Sequence, residues 1–335
     1  MTLEEIKLRR LAEQYLLNLT DTNTVVKDLC GAQAQFLSHA LHGLSIRCGS
    51  VNTSALIKGW TNRGTMHLFV EEDLPLFLYE GRTHFLRDVD KLGSDAFITA
   101  SQKAYFANVV LDAIASGVED RDALKAICAD KGMTDSESKS LFDPWGGLIR
   151  ALCESGRICH KVQEKKAYRI CPDVEPMDQS SAQLELLRRY FTHFGPATVK
   201  DAAYFFGWTQ AQIKKYLPLL PLSQFHDAAK TYYYTDAIPL PNADAPDCLF
   251  LAGFDQLVLG YEKTESIFLS PEHLRQIFTL SGIVRPALLI DGEIKGHWNL
   301  KNRKLKIALF EGTNRQRITA AAELQWPDLK EIIFE

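Results

Sequence analysis

Short helical segments recur in groups along this chain, and strand-forming residues follow each group. The clearest group is LLRRYFTHFGPATVKDAAYFFGWTQAQIKKYL (residues 186–217), where the turns FGPAT and GWT separate three helices. Thr198 and Thr209 are placed to cap the second and third helices, and a strand is predicted at Lys230–Asp236. Three helices followed by β structure is the order expected of a winged helix-turn-helix module.

The N-terminal residues give a similar order. A helix is predicted from about Thr24 to Cys30, Gly31 interrupts it, and a third helix runs to about Arg47. We expect a further short helix at Ser54–Trp60. RGTMHLFV (Arg63–Val70) follows a glycine turn and reads as a strand.

A middle group begins near residue 140 with a helix that stops at Gly156 and continues into the hairpin RICHKVQEKKAYRI. Repetition of one supersecondary unit predicts tandem modules. We therefore predict three winged-helix modules, at residues 1–90, 91–172 and 173–240.

The composition changes at the proline-rich stretch PLPNADAP (Pro239–Pro246), which is the best linker in the chain. Short strand-like runs follow it, and Asp291-Gly292 between two of them is a strong hairpin signal. Residues 241–335 are therefore predicted to form a small β-rich, barrel-like C-terminal domain. The predicted fold class is α+β.

Apolar residues make up 46% and charged residues 24% of the 335 residues, values ordinary for a soluble globular protein. No apolar run is long enough for a membrane span, and we expect no signal peptide. The seven cysteines contain no CxxC pair and no Cys/His group with zinc-ligand spacing. A reduced, cytosolic protein without metal is the natural expectation.

The formal net charge of −4 argues mildly against a nucleic-acid binder. A local basic stripe can nevertheless bind nucleic acid while the rest of the surface is acidic. Residues 285–306 form such a stripe, with six Lys/Arg against two Asp/Glu.

Two glutamines, Gln33 and Gln35, flank Ala34 just after Gly31. On a regular helix, residues two apart cannot share a face, whereas an extended segment or a turn brings both amides towards one ligand such as a water molecule. Both interpretations stay open, and periodicity alone favours two glutamines that merely cap or fray a helix start.

Two further clusters are candidates for DNA contacts. Strand alternation places Arg63, Thr65 and His67 on one face, near a ligand or as partners of backbone groups at a buried strand start. Lys301, Arg303 and Lys304 surround a hairpin turn, which suits phosphate contacts and equally suits a solvated charged turn.

Several motifs together resemble the winged-helix DNA glycosylases of the AlkZ/YcaQ type. QAQ is followed about thirty residues later by NRGTMHLF, and RYFTHFGPATVKDAAYFFGWT is similar to the third module of that family. LAGFDQLVLGYEKT and SGIVRPALLIDGEIKGHW resemble its C-terminal β region. The resemblance covers nearly the whole chain.

The resemblance implies three winged-helix modules and a barrel-like domain around a concave duplex-binding surface. Gln-x-Gln marks the AlkZ-like branch and implies that Gln33 and Gln35 are catalytic, positioning a water molecule. The implied enzyme is a monomeric, monofunctional DNA glycosylase without cofactor, cytoplasmic and nucleoid-associated in a bacterium. Its implied substrate is double-stranded DNA with N-alkylated or crosslinked purines.

The resemblance also favours His67 near the site and the hairpin of Lys301, Arg303 and Lys304 near the duplex. Asp255, in GFDQLVLG, matches an aspartate motif of the family. A lone carboxylate among apolar residues more often bonds backbone or a nearby Arg or Lys, so a structural role is expected.

Two alternatives belong to other functional classes. One is a noncatalytic winged-helix DNA-binding regulator, which would tolerate the loss of both glutamines. The other is a protein-interaction scaffold, which would show no salt-dependent affinity for duplex DNA.

Overall fold

The computed structural model describes residues 1–61, 63–79, 98–143, 147–227, 230–236, 244–310 and 315–335. Contacts divide the chain into two units. The first unit comprises Met1–Asn52 and Leu184–Glu335, and the second comprises Thr53–Gln183. The first unit therefore combines the N-terminal segment with the C-terminal half of the chain.

Helices and strands are both well represented among the described residues. The α-helices are α1 (Leu3–Glu13), α2 (Thr22–Asp28), α3 (Leu37–Cys48), α4 (Leu74–Phe77), α5 (Ala100–Ala115), α6 (Arg121–Asp130), α7 (Asp135–Leu141), α8 (Leu148–Glu154), α9 (Gln179–His193), α10 (Val199–Phe206), α11 (Gln210–Tyr216), α12 (Gln256–Leu259), α13 (Leu274–Ile277) and α14 (Arg315–Gln325). None of these helices has the length and apolar character that a membrane crossing requires.

The strands alternate with these helices along the chain. They are β1 (Ala32–Gln33), β2 (Leu56–Trp60), β3 (Met66–Val70), β4 (Ile158–His160), β5 (Tyr168–Ile170), β6 (Ser223–Asp227), β7 (Lys230–Tyr234), β8 (Leu249–Phe250), β9 (Ala287–Ile290), β10 (Glu293–Lys301), β11 (Lys304–Leu309) and β12 (Glu331–Phe334). The predicted combination of helical and β-rich regions is confirmed, and the fold is mixed α/β.

The C-terminal part of the first unit contains a five-stranded sheet in the order β12-β11-β10-β9-β8. β11 and β12 are parallel, and the other pairs are antiparallel. Helix α14 buries Ile318 and Ala322 in the same apolar cluster as Trp298 and Leu305 of the sheet. Among the described residues this sheet keeps two edges, β12 and β8, and forms no closed barrel.

The turn between β9 and β10 has the predicted geometry. Asp291 and Gly292 both have positive φ angles, 48° and 74°. Such angles suit aspartate and glycine and close a two-residue hairpin whose twist matches that of its strands. The hairpin predicted from Asp-Gly is therefore confirmed.

Helices α9, α10 and α11 are followed by the antiparallel hairpin β6–β7, which is the element order predicted for this region. Thr198 caps α10 in a capping box with Asp201, and Thr209 caps α11 in a capping box with Gln212. Both caps were predicted from the sequence, because threonine at a helix start accepts a hydrogen bond from a free backbone N–H group.

The second unit contains strands β3, β2, β4 and β5 in that order, all antiparallel. Helices α5 to α8 bury a separate core that includes Val110, Leu124, Cys128 and Leu141, together with Tyr168 of β5. The predicted hairpin at RICHKVQEKKAYRI is confirmed by the pairing of β4 with β5.

One predicted helix is wrong. Ser54–Trp60 was expected to be helical, but Leu56–Trp60 forms strand β2 and pairs with all five residues of β3. Five residues with a glycine and a tryptophan have little intrinsic helix preference, so the pairing partner decides their conformation. Gly59 also lies against the Phe69 ring, where an added Cβ would be only 3.3 Å from it.

The proposed module boundaries at residues 90 and 240 and most of the linker at Pro239–Pro246 lie outside the described residues. Either unit can contain more than one module, so the division into four parts at residues 90, 172 and 240 stays a prediction.

A buried acid distinguishes α1. Glu13 is fully buried, its Oε1 accepts a hydrogen bond from Arg9 Nε at 2.9 Å, and Oε2 has no hydrogen-bond partner among the described residues. Burial raises the pKa of Glu13 to about 8, although the charges of Arg9 and Arg10 oppose this shift.

The raised pKa predicts a stability that falls as the pH rises. The folded chain keeps the Glu13 proton where the unfolded chain loses it, so the stabilisation is complete below the ordinary value of 4.5 and is lost towards about 8. Glu13→Gln should therefore be no more stable than wild type at acidic pH but clearly more stable at about pH 8. Urea unfolding of both proteins at both pH values measures this, and a difference that does not change with pH would contradict it.

Candidate active site

The two glutamines lie in a non-helical connection between α2 and α3. Cys30 and Gly31 have positive φ angles of 54° and 86°, which turn the chain after α2. Gln33 ends the short strand β1, and Gln35 lies in a bend before α3. The predicted departure from helix at Gly31 is confirmed. Gln33 is buried, whereas Gln35 is exposed.

The stretch GFDQ (residues 253–256) contacts both sides of this connection. Gln256 Nε2 donates a hydrogen bond to the Gly31 carbonyl at 2.5 Å, two residues before Gln33. The Phe254 ring stacks on Phe36, the residue after Gln35, with ring centroids 5.8 Å apart. Residues far away in the sequence thus contact the chain on both sides of the glutamine segment.

Asp255 anchors α3 through a buried ion pair. Arg47 Nη2 and Nη1 donate to its two carboxylate oxygens at 2.7 and 2.9 Å, and both side chains are almost fully buried. Arg47 also donates to the carbonyls of Gln14 and Gly43, and Asp255 caps the first turn of α12 by accepting from Leu257 N. The structural role expected of Asp255 is confirmed.

Gly253 allows close approach at the start of α3. A Cβ atom at this position would lie 3.1 Å from the His39 ring, closer than nearly all real contacts. A side chain at this position would therefore require the His39 ring or the GFDQ stretch to shift by a few tenths of an ångström.

A small cavity of about 20 Å³ lies between α3 and the GFDQ stretch. Its lining includes Gln33, His39, Arg47, Asp255 and Gln256. Such a volume is sufficient for a single water molecule.

A much larger open cleft of about 820 Å³ begins at the same helix end. Phe36, Ser38 and His39 line one side of it. Arg285, His297 and Lys306 add positive or titratable groups from the sheet region. His39 and Phe254 line both the cleft and the small cavity, so the two spaces adjoin.

The imidazoles at this site are held neutral. Burial lowers the pKa of His39. Burial also lowers the pKa of His42, whose Nε2 lies 2.7 Å from the Phe250 carbonyl oxygen and whose ring stacks on Trp326. The site therefore offers amides and neutral rings at physiological pH rather than a ready proton donor.

The basic hairpin predicted at residues 301–304 is present, with Lys301 paired to Lys304 across its turn. Asn302 and Arg303 have the positive φ angles of a tight hairpin turn. Acidic side chains already accompany two of the cations, because Arg303 pairs with Asp328 and Lys304 with Glu331. All three basic side chains are exposed.

Arg63 and His67 belong to the second unit. His67 is fully buried, and its Nδ1 lies 3.0 Å from both Thr61 Oγ1 and the Thr65 carbonyl oxygen. Burial and then the charge of Arg63 lower the pKa of His67 to about 3, so the ring is neutral. Contacts of Arg63 and His67 with DNA stay a prediction.

Sequence reasoning missed Gln256 and the cleft. The signal for Gln256 was present as two polar residues, Asp255 and Gln256, inside an otherwise apolar stretch. Such residues are retained in a core only where they find hydrogen-bond partners. Groups of three or more His, Cys, Asp or Glu side chains that suit a metal ion are absent from the described part of the chain.

Comparison with known proteins agrees with these motifs. A family model described as DNA glycosylase AlkZ-like matches residues 26–327. The chain belongs to the AlkZ-like DNA glycosylase family. It is a DNA glycosylase, a hydrolase of N-glycosyl bonds, and the predicted family is confirmed.

A curated relative is the interstrand DNA cross-link repair glycosylase of Streptomyces sahachiroi, 26% identical over 93% of this chain and 91% of that protein. The solved structure of Streptomyces sahachiroi DNA glycosylase AlkZ is similar with a TM-score of 0.77 and 18% identity, over 100% of this chain and 99% of that one. The latter likeness establishes the fold. Membership in a glycosylase family leaves no support for the regulator or the scaffold.

We expect the Arg47–Asp255 pair to contribute strongly to the stability of the first unit. Asp255→Asn keeps the shape but leaves the buried Arg47 charge without its counter-ion. We expect a loss of about 3–5 kcal/mol in the free energy of unfolding, because one half of a buried pair is costly alone. Urea unfolding measures this loss.

Asp291→Asn is the matched control, because Asp291 pairs with Arg317 at the surface. Screening by solvent makes exposed pairs weak, so this variant should unfold close to wild type. Equal effects of the two substitutions would show that the buried pair contributes nothing special.

Proposed function

We propose that the enzyme hydrolyses the N-glycosidic bond of N-alkylated purines in duplex DNA, including those in interstrand crosslinks. Gln33 and Gln35 position the attacking water. The observation that carries this proposal is the non-helical Gln33–Gln35 segment. Gln256 holds the turn before it, Gln33 lines a water-sized cavity, and Phe36, the residue after Gln35, lines the open cleft. The crosslink activity carried by the name of the Streptomyces relative also supports it.

Amide oxygens suit this reaction for a physical reason. Alkylation at N3 or N7 makes the purine cationic, so it leaves without protonation. As the bond breaks, positive charge develops on the sugar, and a fixed amide dipole stabilises that charge while its oxygen orients the water. Neutral His39 and His42 fit a mechanism that needs no general acid.

Lys306 supports hydrolysis without strand cleavage. Among the described residues it is the lysine that lines the cleft, and it pairs with Glu335 at 2.8 Å. This carboxylate raises the pKa of Lys306, which therefore stays protonated. A protonated amine is no nucleophile, so the product is an abasic site rather than a Schiff-base intermediate.

The duplex is held by winged-helix modules and by basic side chains on the C-terminal hairpin. The order α9, α10, α11 and hairpin β6–β7 supports the third module. In this arrangement Lys301 contacts phosphate, Arg303 and Lys304 exchange their carboxylate partners for phosphates, and Arg63 and His67 contribute to DNA binding from the second unit. The enzyme acts as a monomer, without metal or cofactor, on the nucleoid in the bacterial cytoplasm.

Removal of either catalytic amide should abolish excision. We expect Gln33→Ala and Gln35→Ala to lower the single-turnover rate constant by about 100-fold or more on an oligonucleotide duplex with one N7-methylguanine. Alkali treatment converts abasic sites into strand breaks, and gel electrophoresis measures them.

Gln179→Ala is the matched control, because Gln179 is an exposed glutamine at the start of α9. It should excise the base at the wild-type rate. Wild-type rates in both active-site variants would refute the glutamine mechanism, and an inactive wild type on this duplex and on a nitrogen-mustard crosslink would refute the substrate class.

The basic hairpin should contribute to the salt dependence of DNA binding. Replacing Lys301, Arg303 and Lys304 together by glutamine should reduce the slope of log affinity against log salt by about 0.9 for each phosphate that the variant no longer neutralises. Fluorescence anisotropy with a labelled duplex at several salt concentrations measures the slope.

A triple glutamine variant at Lys125, Lys131 and Lys139 removes the same charge from the α6–α7 region of the second unit. It should lower the slope less than the hairpin variant does, because charges that do not contact phosphates release fewer counterions. Similar slopes for the two triple variants would rule out binding of phosphates by the hairpin.

A further inference from the structure

Gln256 is the most unusual polar residue beside the catalytic segment. It is 5% exposed, and its Nε2 donates to the Gly31 carbonyl. Its other polar atom, Oε1, is buried without a hydrogen-bond partner among the described residues. A buried amide oxygen without a partner costs about 1–3 kcal/mol, and a water molecule in the cavity that Gln256 lines would remove this cost.

The cavity beside Gln256 indicates the chemistry of the ligand. Gln256 and Gln33 line the same cavity of about 20 Å³. A water molecule fits this volume, and it has two protons to donate to amide oxygens.

We propose that Gln256 is a positioning residue for the catalytic glutamines. Its N–H group fixes the Gly31 carbonyl and thereby the turn that leads into Gln33. Its Oε1 accepts a hydrogen bond from a water molecule shared with Gln33, which fixes the side chain of Gln33. This assignment rests on the proposed catalytic function of Gln33.

The backbone at Gly31 makes this hydrogen bond important. Cys30 is a non-glycine residue with a φ of 54°, and Gly31 follows with 86°, a conformation that costs energy at cysteine. Gly31 N also donates to the Val26 carbonyl at 2.7 Å. The Gln256 amide therefore completes the fixation of a turn that the local sequence does not favour.

The chain contains a matched control for the chemistry of Gln256. Gln14 is also buried, its Nε2 donates to Tyr261 Oη at 3.0 Å, and its Oε1 has no partner among the described residues. Its side chain does not line the cavity of Gln33. Gln256→Met and Gln14→Met both replace an amide by a side chain of similar size.

The first test compares these two variants on the N7-methylguanine duplex. Gln256→Met should lower the single-turnover rate constant by about 10- to 100-fold, as expected for a misplaced catalytic group, with unchanged DNA affinity. Gln14→Met should keep the wild-type rate, although its Tm should fall about as much as that of Gln256→Met. A wild-type rate in Gln256→Met, or rate losses in both variants that follow their losses of Tm, would overturn the proposal.

A double-mutant cycle tests whether Gln256 acts through Gln33. In the Gln33→Ala background, Gln256→Met should cause little further loss, because the group it positions is already absent. If the rate loss of the double variant equals the product of the two single-variant losses, Gln256 acts independently of Gln33. If Gln33→Ala itself retains full activity, the proposed function fails, whatever Gln256 does.

The pH dependence of the excision rate of Gln256→Glu distinguishes a positioning role from a purely structural one. A protonated carboxyl can still donate to Gly31 O and accept from the water, whereas a carboxylate cannot donate. Burial raises the pKa of such a carboxyl, so the rate of this variant should rise as the pH falls through that pKa, while the wild-type rate stays flat. A pH-independent rate in the variant would overturn the proposal.

Discussion

The buried ion pair between Arg47 and Asp255 is the interaction on which the candidate site depends. It joins the C-terminal turn of α3 to a stretch more than two hundred residues later, and Arg47 adds hydrogen bonds to two carbonyls of its own neighbourhood. Because Asp255 also caps α12, the ion pair fixes Phe254 and Gln256 on either side of it. Those neighbours contact the residues that flank Gln33 and Gln35. One charge pair thereby helps to fix the positions of two uncharged side chains, Gln33 and Gln35.

Local chemistry made several elements predictable. Threonine caps at α10 and α11, the Asp-Gly hairpin and the break at Gly31 each depend on a few adjacent residues, so the sequence contains the necessary information. The conformation of strand β2 is not determined by adjacent residues, because it depends on pairing with β3 and on the packing of Gly59 against Phe69. Where the partner is distant or tertiary, propensity alone gives the wrong element.

The same distinction applies to the candidate site. The glutamine motif and the break at Gly31 were visible in the sequence, but whether the two glutamines share a ligand or only cap a helix start stayed open. Their partners were not visible, since no local pattern connects Gln256 with Gly31. The hairpin cations were also visible, whereas their carboxylate partners Asp328 and Glu331 come from a later segment. The net charge of a short stretch therefore overstates the positive potential that its surface presents.

The neutrality of His39 and His42 has a consequence for how damage is recognised. Under the proposed mechanism neither imidazole protonates the leaving base, so bond breaking depends on how readily that base leaves. By the same proposed mechanism, an intact purine that enters the open cleft leaves it unchanged, because a neutral base is a poor leaving group. Discrimination then comes from the instability of the damaged nucleoside rather than from exclusion by shape, and a spacious cleft of about 820 Å³ becomes compatible with fidelity. Such a mechanism would accept large and varied adducts without attacking undamaged DNA.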